Sequence, residues 1–222
     1  MSVTRYIDLY SKIVECPLSC KGITNSPERG IIPRSFYVSE NSVVSMLIIG
    51  KNPGKAPEWE NDLYKNKSTS EAVKEHLHVV RDLFEEKLNV ASNFHKNLIS
   101  RVAFILDVPA TPSDVFRHAA LSALVKCQSE ESKQAPLPAI TMHTCFHKHL
   151  KLEIELYRPQ YLLALGGEVF RYLSRPEIRT LHQLPVGELW HPSWSNMPGG
   201  EENYRNTKLT QLREQYKIAI IN

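Results

Sequence analysis

The sequence predicts an α/β fold, a single three-layer domain in which a central four-stranded parallel sheet is flanked by helices. Four short apolar runs alternate with helical patterns along the 222 residues, and these runs are continuous, as in strands buried on both faces. Three of the runs end in unusual motifs, as expected where the carboxyl ends of parallel strands form a ligand site. A chain of this length fits one domain, residues 1–222.

The first half of the chain shows three helical patterns and one strand. Apolar residues recur at a helical period over 4–15, whereas glycines and prolines make residues 17–41 irregular. Residues 43–49 are rich in β-branched side chains, which is typical of a buried strand. Ser68 or Ser70 caps a helix that runs to about residue 88, and a further helix covers residues 93–106.

The second half of the chain alternates strands and helices more regularly. Three short apolar runs predict strands, and the segments between and after them have apolar residues three or four positions apart. Pro159 and the Gly166-Gly167 pair mark two of the boundaries. These elements are a strand over 119–126, a helix over 145–157, a strand over 161–165, a short helix through Phe170 and Leu173, a strand over 186–190 and a helix over 203–220.

The composition is that of an ordinary soluble protein, with 42% hydrophobic and 23% charged residues and a formal net charge of +3. A mildly basic chain permits an anionic partner such as nucleic acid without requiring one. No apolar run approaches the roughly 20 residues that span a bilayer, and the first residues lack a secretion signal. We therefore expect a cytoplasmic protein with reduced thiols and no membrane association, and we expect a monomer.

Four cysteines are the only ones in the chain. Cys16 and Cys20 form a C-x3-C pair, Cys127 follows the second predicted strand, and Cys145 opens a predicted helix. Thiolates gathered from such distant points are typical of a shared metal centre, either tetrahedral zinc or an iron–sulfur cluster. Two disulfides and four unrelated buried thiols are the alternatives that the spacing leaves open.

Two predicted strands end in motifs that carry polar side chains. Residues 43–49 lead into Gly50-Lys51-Asn52-Pro53-Gly54, and residues 186–190 lead into His191-Pro192-Ser193. Each motif alone has an ordinary explanation, since Asn, Pro and Gly are common in tight turns and a histidine before proline is often a surface residue. Their shared position at strand ends is what indicates a site.

In this order the motifs resemble those of the uracil-DNA glycosylase superfamily, from Cys16 to about Ser195. The loop over residues 50–54 is similar to the water-activating motif in its Asn-bearing form, and residues 191–193 are similar to the His-Pro-Ser motif. Residues 156–166 resemble the corresponding segment of the family 4 enzymes, which carry a [4Fe–4S] cluster. That resemblance implies the ligands Cys16, Cys20, Cys127 and Cys145, although family 4 spaces the first pair C-x2-C.

The resemblance implies a DNA glycosylase that hydrolyses the bond between deoxyribose and a flipped uracil or modified pyrimidine, leaving an abasic site. Positive charge then develops on the sugar and negative charge on the base. We expect Asn52 to orient the attacking water through its amide oxygen and His191 to donate a hydrogen bond to the departing base. Glu58 and Glu60 are either alternative water-activating groups or solvated loop residues.

Further residues are expected to contact DNA. Tyr64 is the candidate stacking platform for the flipped base and Trp59 is the second choice, while either ring is alternatively a core anchor. Trp194 or Met197 is the candidate wedge that fills the gap left by the base. The remaining motif residues, expected to face a base or a phosphate, are Gly50, Lys51, Pro53, Gly54 and Ser193. The candidate phosphate contacts are Lys51, Lys55, Lys126 and Arg205.

Ala123 marks the main departure from family 4, in which an Asn at this position reads the uracil edge. A methyl group neither donates nor accepts, so we expect weaker discrimination for uracil or room for a bulkier base at Ala123. Ser122 is a poor substitute because neighbouring strand side chains point to opposite faces. The open alternatives are a defence glycosylase acting on bulky modified cytosine in foreign DNA, a catalytically weak lesion-binding protein, and a zinc protein with no role on DNA.

Overall fold

The computed structural model describes residues 3–34, 36–39, 43–84, 93–130, 136–194 and 197–221. Its strands are β1 (Ile23–Thr24), β2 (Met46–Gly50), β3 (Ala119–Ala123), β4 (Gln128–Ser129), β5 (Tyr161–Leu165) and β6 (Val186–Leu189). Its α-helices are α1 (Val3–Val14), α2 (Glu58–Tyr64), α3 (Thr69–Phe84), α4 (Asn93–Leu106), α5 (Pro112–His118), α6 (Ala139–Cys145), α7 (Lys151–Tyr157), α8 (Gly167–Leu173), α9 (Pro176–His182), α10 (Gly200–Tyr204) and α11 (Thr210–Ile221). A 3₁₀ turn covers Pro27–Arg29, and π-helical turns cover Phe146–Leu150 and Arg205–Leu209. Within the described ranges, no helix is long and apolar enough to cross a membrane.

Four of the strands form a parallel sheet in the order β3-β2-β5-β6. The register pairs Gly50 with Ala123 and Leu165 with Leu189, so the carboxyl ends of the strands lie at one edge. Strands composed largely of apolar residues have no polar face to expose to water, so helices cover both sides of the sheet. The prediction of an α/β fold with a four-stranded parallel sheet is confirmed.

The central strand β2 contributes to two hydrophobic cores because successive side chains point to opposite faces. Leu47 and Ile49 belong to the core that also contains residues of α1, α7, α8 and α9. Met46 and Ile48 belong to the second core, together with residues of α4, α5 and α11. Since both faces of the sheet are packed, the strand ends from which the loops at the carboxyl edge begin have fixed positions.

The segment after α1, predicted as irregular over residues 17–41, contains short elements that tie it to the carboxyl edge. β1 pairs antiparallel with β4, with Ile23 opposite Ser129 and Thr24 opposite Gln128. Further on, Tyr37 forms an antiparallel bridge with a residue of β3. A two-residue strand depends on its partner more than on its own sequence, so the local pattern gave no signal for it.

The predicted elements are present with shifted ends. β3 stops at Ala123, short of residue 126, and the helix predicted from residue 145 begins at Ala139, after Pro138. The short helices α2, α5 and α9 are not predicted, because seven residues contain too few periodic positions. Residues 85–88 of the second predicted helix lie outside the described residues.

Candidate active site and cysteine centre

The loop after β2 extends the sheet pairing beyond the ends of the strands. The N–H of Leu124 donates to the Gly50 carbonyl at 2.8 Å, and the N–H of Val125 donates to the Lys51 carbonyl at 2.9 Å. On the other side, the Lys51 ammonium lies 2.9 Å from the carboxylate of Glu168 in α8. The loop is therefore fixed to the elements that follow β3 and β5.

Asn52 lies in this loop, and its side chain is held through the amide nitrogen. Nδ2 donates to the Pro53 carbonyl at 3.0 Å and to the Ser129 hydroxyl at 2.6 Å. Both amide hydrogens are used in these two bonds. The amide oxygen is thus the group through which Asn52 can bind a water.

A buried ion pair supports the end of the same loop. The Arg34 guanidinium pairs with the Glu60 carboxylate and donates to the Gly54 carbonyl at 3.1 Å. Glu60 is enclosed and balanced by Arg34, so it is not available to activate a water in the cleft. Glu58, the other acidic alternative, lies exposed in the first turn of α2.

Tyr64 does not present the stacking surface that we expected from the sequence. Its ring is 1% exposed and belongs to the core that contains α1. Its hydroxyl donates to Glu60 at 3.1 Å and lies 3.1 Å from Nδ1 of His76. Burial lowers the pKa of His76 to about 4, which keeps this ring neutral. Tyr64 is therefore a core anchor, because Glu60 and His76 draw its hydroxyl into an interior polar network.

The loop after β6 carries His191 to the same edge of the sheet. The N–H of Ser193 donates to Nδ1 of His191 at 3.3 Å, so the hydrogen of the neutral ring belongs on Nε2. Burial lowers the pKa of His191, which favours that neutral form. The Phe94 ring packs beside it, with 5.5 Å between the ring centroids. His191 thus has a single N–H donor, at Nε2.

Two side chains of α4 hold the His191 loop. Asn97 donates to the Pro192 carbonyl at 2.8 Å, and Arg101 donates to the Trp194 carbonyl at 3.2 Å. The buried Arg101 also pairs with Glu201 of α10 at 2.8 Å. Sequence reasoning missed these residues because nothing in the pattern of α4 marks a side chain that reaches a distant loop.

One strand, β5, separates the two loops, since β2 and β6 are its neighbours. Neighbouring strands lie about 4.8 Å apart, so the Asn52 and His191 loops begin roughly 10 Å from each other. Gly166 directly follows the intervening strand and has a φ of +91°, which L side chains rarely adopt. A Cβ on Gly166 would lie 3.9 Å from Cβ of His191. The glycine leaves the space beside His191 without a further side chain.

The end of β3 differs in two respects from what the sequence led us to expect. Ala123 is fully buried opposite Gly50, so it has no surface that a base could contact in this conformation. Lys126, a candidate phosphate contact, is also fully buried and pairs with Glu153. Ser122 points to that same interior network and donates to Glu153 at 2.7 Å. Lys126 is therefore a core residue, because the buried carboxylate draws its ammonium inward.

The segments next to the two loops carry exposed aromatic and basic side chains. Trp194 is 60% exposed, whereas Met197, the other candidate wedge, is buried in the second core. Trp59, Lys55 and Arg205 are also exposed. Exposed aromatic rings suit stacking on bases, and exposed cations suit contact with phosphates.

Three of the four cysteines line one cavity of about 460 Å³, namely Cys16, Cys20 and Cys127. Cys145 is buried and accepts a hydrogen bond from the Lys126 N–H at 3.4 Å. All four are free thiols. Burial raises the pKa of Cys127, and negative charge on the other three sulfurs raises it further. Because Lys126 directly precedes Cys127, its hydrogen bond to Cys145 places that cysteine near the cavity that the other three cysteines line.

The chemistry of these thiols fits a cationic group. Burial raises the pKa of Cys145 to about 11, so without a cation the thiol stays protonated at neutral pH. Within the described residues, no three side chains of the types that bind metals converge closely enough to hold a metal ion as they stand. Three of the sulfur donors line a cavity much larger than a single ion, and the fourth, that of Cys145, is buried next to Lys126.

Residues 39–213 match the family model described as the uracil DNA glycosylase superfamily. The matched segment contains both strand-end loops together with Cys127 and Cys145, and it begins after Cys16 and Cys20. A search of curated proteins finds no match.

Proposed function

Because the chain belongs to the uracil DNA glycosylase superfamily, we propose that it is a monofunctional DNA glycosylase acting on uracil or a modified pyrimidine. Water adds to C1′ of the deoxyribose while the bond to the base breaks, so the products are a free base and an abasic site. The bond breaks through an oxocarbenium-like sugar as negative charge gathers on the base. The site must therefore provide a donor for the base and an acceptor that holds the water.

The observation that carries the proposal is the hydrogen bond from the Ser193 N–H to Nδ1 of His191. It fixes the tautomer in which Nε2 is the donor, before any substrate binds. We assign to Nε2 the hydrogen bond to the oxygen of the departing base. A donor that is already oriented in a partly buried site stabilises a developing charge better than water does. Because the pKa of His191 is lowered, the neutral ring performs this role.

Asn52 provides the other half of the reaction. Its amide nitrogen is engaged by Pro53 and Ser129, and its oxygen accepts a hydrogen bond from the attacking water. An amide does not take up a proton near neutral pH, so Asn52 orients the water and does not act as a general base. The proton of the water is lost to solvent, and the anionic base is protonated there.

Single-stranded and double-stranded oligonucleotides test the proposal, one set carrying a single uracil and a second set a single bulky modified cytosine. We expect free uracil and an alkali-sensitive abasic site, with the strand intact before alkali treatment. Asn52→Ala and His191→Ala should lose most of this activity, while Ser113→Ala, which changes an exposed residue at the start of α5, serves as the control. Release of bulky modified cytosines but not uracil would assign the modified-base activity. Binding to these duplexes without release of any base would contradict a glycosylase.

We also propose that Cys16, Cys20, Cys127 and Cys145 hold a [4Fe–4S] cluster. The cavity that Cys16, Cys20 and Cys127 share supports this proposal, as do the position of Cys145 next to Lys126 and the resemblance to family 4. The bound cluster would cross-link the segment after α1 to the residues after β3 and the end of α6, and hydrolysis needs no electron from it. The N–H of Lys126 would remain a hydrogen-bond donor to the Cys145 sulfur.

The cluster proposal has a direct test in the purified protein. For thiolate-bound iron we expect a brown protein that absorbs at roughly 400 nm and contains iron and acid-labile sulfide. Cys127→Ala should lose the colour and the iron together. A colourless protein that contains one zinc would contradict the cluster and favour the zinc alternative.

A further inference from the structure

Ser129 contacts the Asn52 loop with both its backbone and its side chain. Its N–H donates to the Pro53 carbonyl at 3.3 Å, and its hydroxyl accepts a hydrogen bond from Nδ2 of Asn52 at 2.6 Å. Ser129 is buried, so bulk water competes little for this hydroxyl. The two contacts fix the Asn52 side chain relative to its own loop.

The two partners of Nδ2 restrain the amide of Asn52 in different ways. The Pro53 carbonyl can only accept, so rotating the amide by half a turn would place two oxygens 3.0 Å apart. The Ser129 hydroxyl engages the second hydrogen and limits rotation of the side chain about its other bonds. Together they leave the oxygen of Asn52 as the free end of the amide.

β4, which carries Ser129, is itself held in place. It pairs with β1, where Ile23 lies opposite Ser129. The side chain of Gln128 accepts a hydrogen bond from the Ala56 N–H at 2.8 Å and donates to the Ile32 carbonyl at 3.3 Å. The pairing with β1 and the hydrogen bonds of Gln128 therefore fix the position of the Ser129 hydroxyl.

From this geometry we infer that Ser129 is a positioning residue for the reaction, an inference that rests on the proposed glycosylase function. Ser129 limits the rotation of the Asn52 side chain, so that the amide oxygen, whose orientation the Pro53 carbonyl sets, stays where it meets the attacking water. It acts through Asn52 and contacts neither the base nor the sugar. Its effect therefore belongs to the chemical step and not to DNA binding.

Replacing the hydroxyl tests this inference. In Ser129→Ala, Nδ2 of Asn52 loses one acceptor and the amide gains rotational freedom. We expect the single-turnover excision rate to fall roughly 10- to 100-fold, as for other small misplacements of a reacting group, with unchanged affinity for DNA. Ser129→Thr retains the hydroxyl and should keep most of the rate, and Ser113→Ala should match the wild type.

A double-mutant cycle separates positioning from a general structural effect. In the Asn52→Ala background, Ser129→Ala should cause no further loss, because the group that Ser129 positions is absent. If Ser129→Ala lowers the rate equally in the wild type and in the Asn52→Ala background, the inference is overturned. It is also overturned if Ser129→Ala excises the base as fast as an active wild type. A wild type that releases no base would overturn the proposed function itself, so the two failures are distinguishable.

Discussion

The Asn52 loop and the His191 loop are held in the same way but from different surroundings. In each, a buried or nearly buried arginine donates to a loop carbonyl and pairs with a carboxylate: Arg34 with Glu60, and Arg101 with Glu201. The Glu60 side chain is 4% exposed, whereas that of Glu201 is 46% exposed. The Asn52 loop is thus held by an ion pair in the interior, and the His191 loop by one at the surface.

This difference matches the roles that we propose for the two loops. A water must be placed accurately on the sugar, which requires a loop that does not move. The His191 loop also carries the exposed Trp194, the candidate wedge, and an ion pair at the surface permits the small adjustments that accompany base flipping. The Asn52 side should therefore contribute more to stability.

The largest expected effect is a difference in protein stability between variants of Arg34 and of Arg101. Arg34→Met leaves Glu60 buried without its partner, and we expect a loss of about 3 to 5 kcal/mol in the free energy of unfolding. Arg101→Met allows Glu201 to turn into water, so the loss should be nearer about 1 kcal/mol, the value of a hydrogen bond. Urea unfolding measures both, provided that the slope with denaturant stays constant.

The pairing itself is tested by a compensating change. Arg34→Met combined with Glu60→Gln removes the buried charge and should recover part of the lost stability. Equal losses of stability for Arg34→Met and Arg101→Met would show that the exposure of the carboxylate does not distinguish the two ion pairs.

The second effect compares the loops in catalysis. His191→Ala removes the donor to the departing base and should lower the single-turnover rate by about 10²- to 10³-fold, as for loss of one oxyanion donor. His191→Gln retains an N–H donor and should lose less. If His191→Ala excises uracil at the wild-type rate, the base charge is stabilised elsewhere.

The third effect is a dependence of stability on pH. It arises from His76, which lies near Glu60 in the network that supports the Asn52 loop. His76 has a folded-state pKa of about 4, lowered by burial, against about 6.5 in the unfolded chain. Between these values the unfolded chain binds a proton that the folded chain does not, so stability falls as the pH falls. His76 alone should cost about 3 kcal/mol between pH 7 and pH 4.

His76→Gln provides the measurement, because glutamine does not titrate in this range. Thermal or urea unfolding over pH 4 to 7 should show a shallower decline for the variant than for the wild type. Parallel declines would mean that His76 is not buried in its neutral form.

The regular elements and the two catalytic candidates follow from the sequence for local reasons. Apolar runs and helical periods lie within one element, so the four sheet strands and the long helices are visible in the pattern. Asn52 and His191 stand out because short motifs follow two of the strands. Their arrival at one edge is then a consequence of parallel strands.

The supporting residues could not be predicted in this way. Ser129, Arg34 and Arg101 act across large sequence separations, and their roles depend on register and packing that no local pattern encodes. Tyr64 shows the same limit, since an aromatic residue near a motif is equally suited to a core or to a base. The position of Ser129 directly after Cys127 and Gln128 is a signal only once β4 is known to pair with β1.

The division of labour between the two loops is the central claim, and the identity of the leaving base tests it most directly. 5-Fluorouracil departs more easily than uracil because fluorine stabilises the anion, so it depends less on a donor. The ratio of single-turnover rates for 5-fluorouracil and uracil should rise severalfold in His191→Ala and stay at the wild-type value in Asn52→Ala. The same ratio in all three proteins would contradict the assignment of the base charge to His191 and of the water to Asn52.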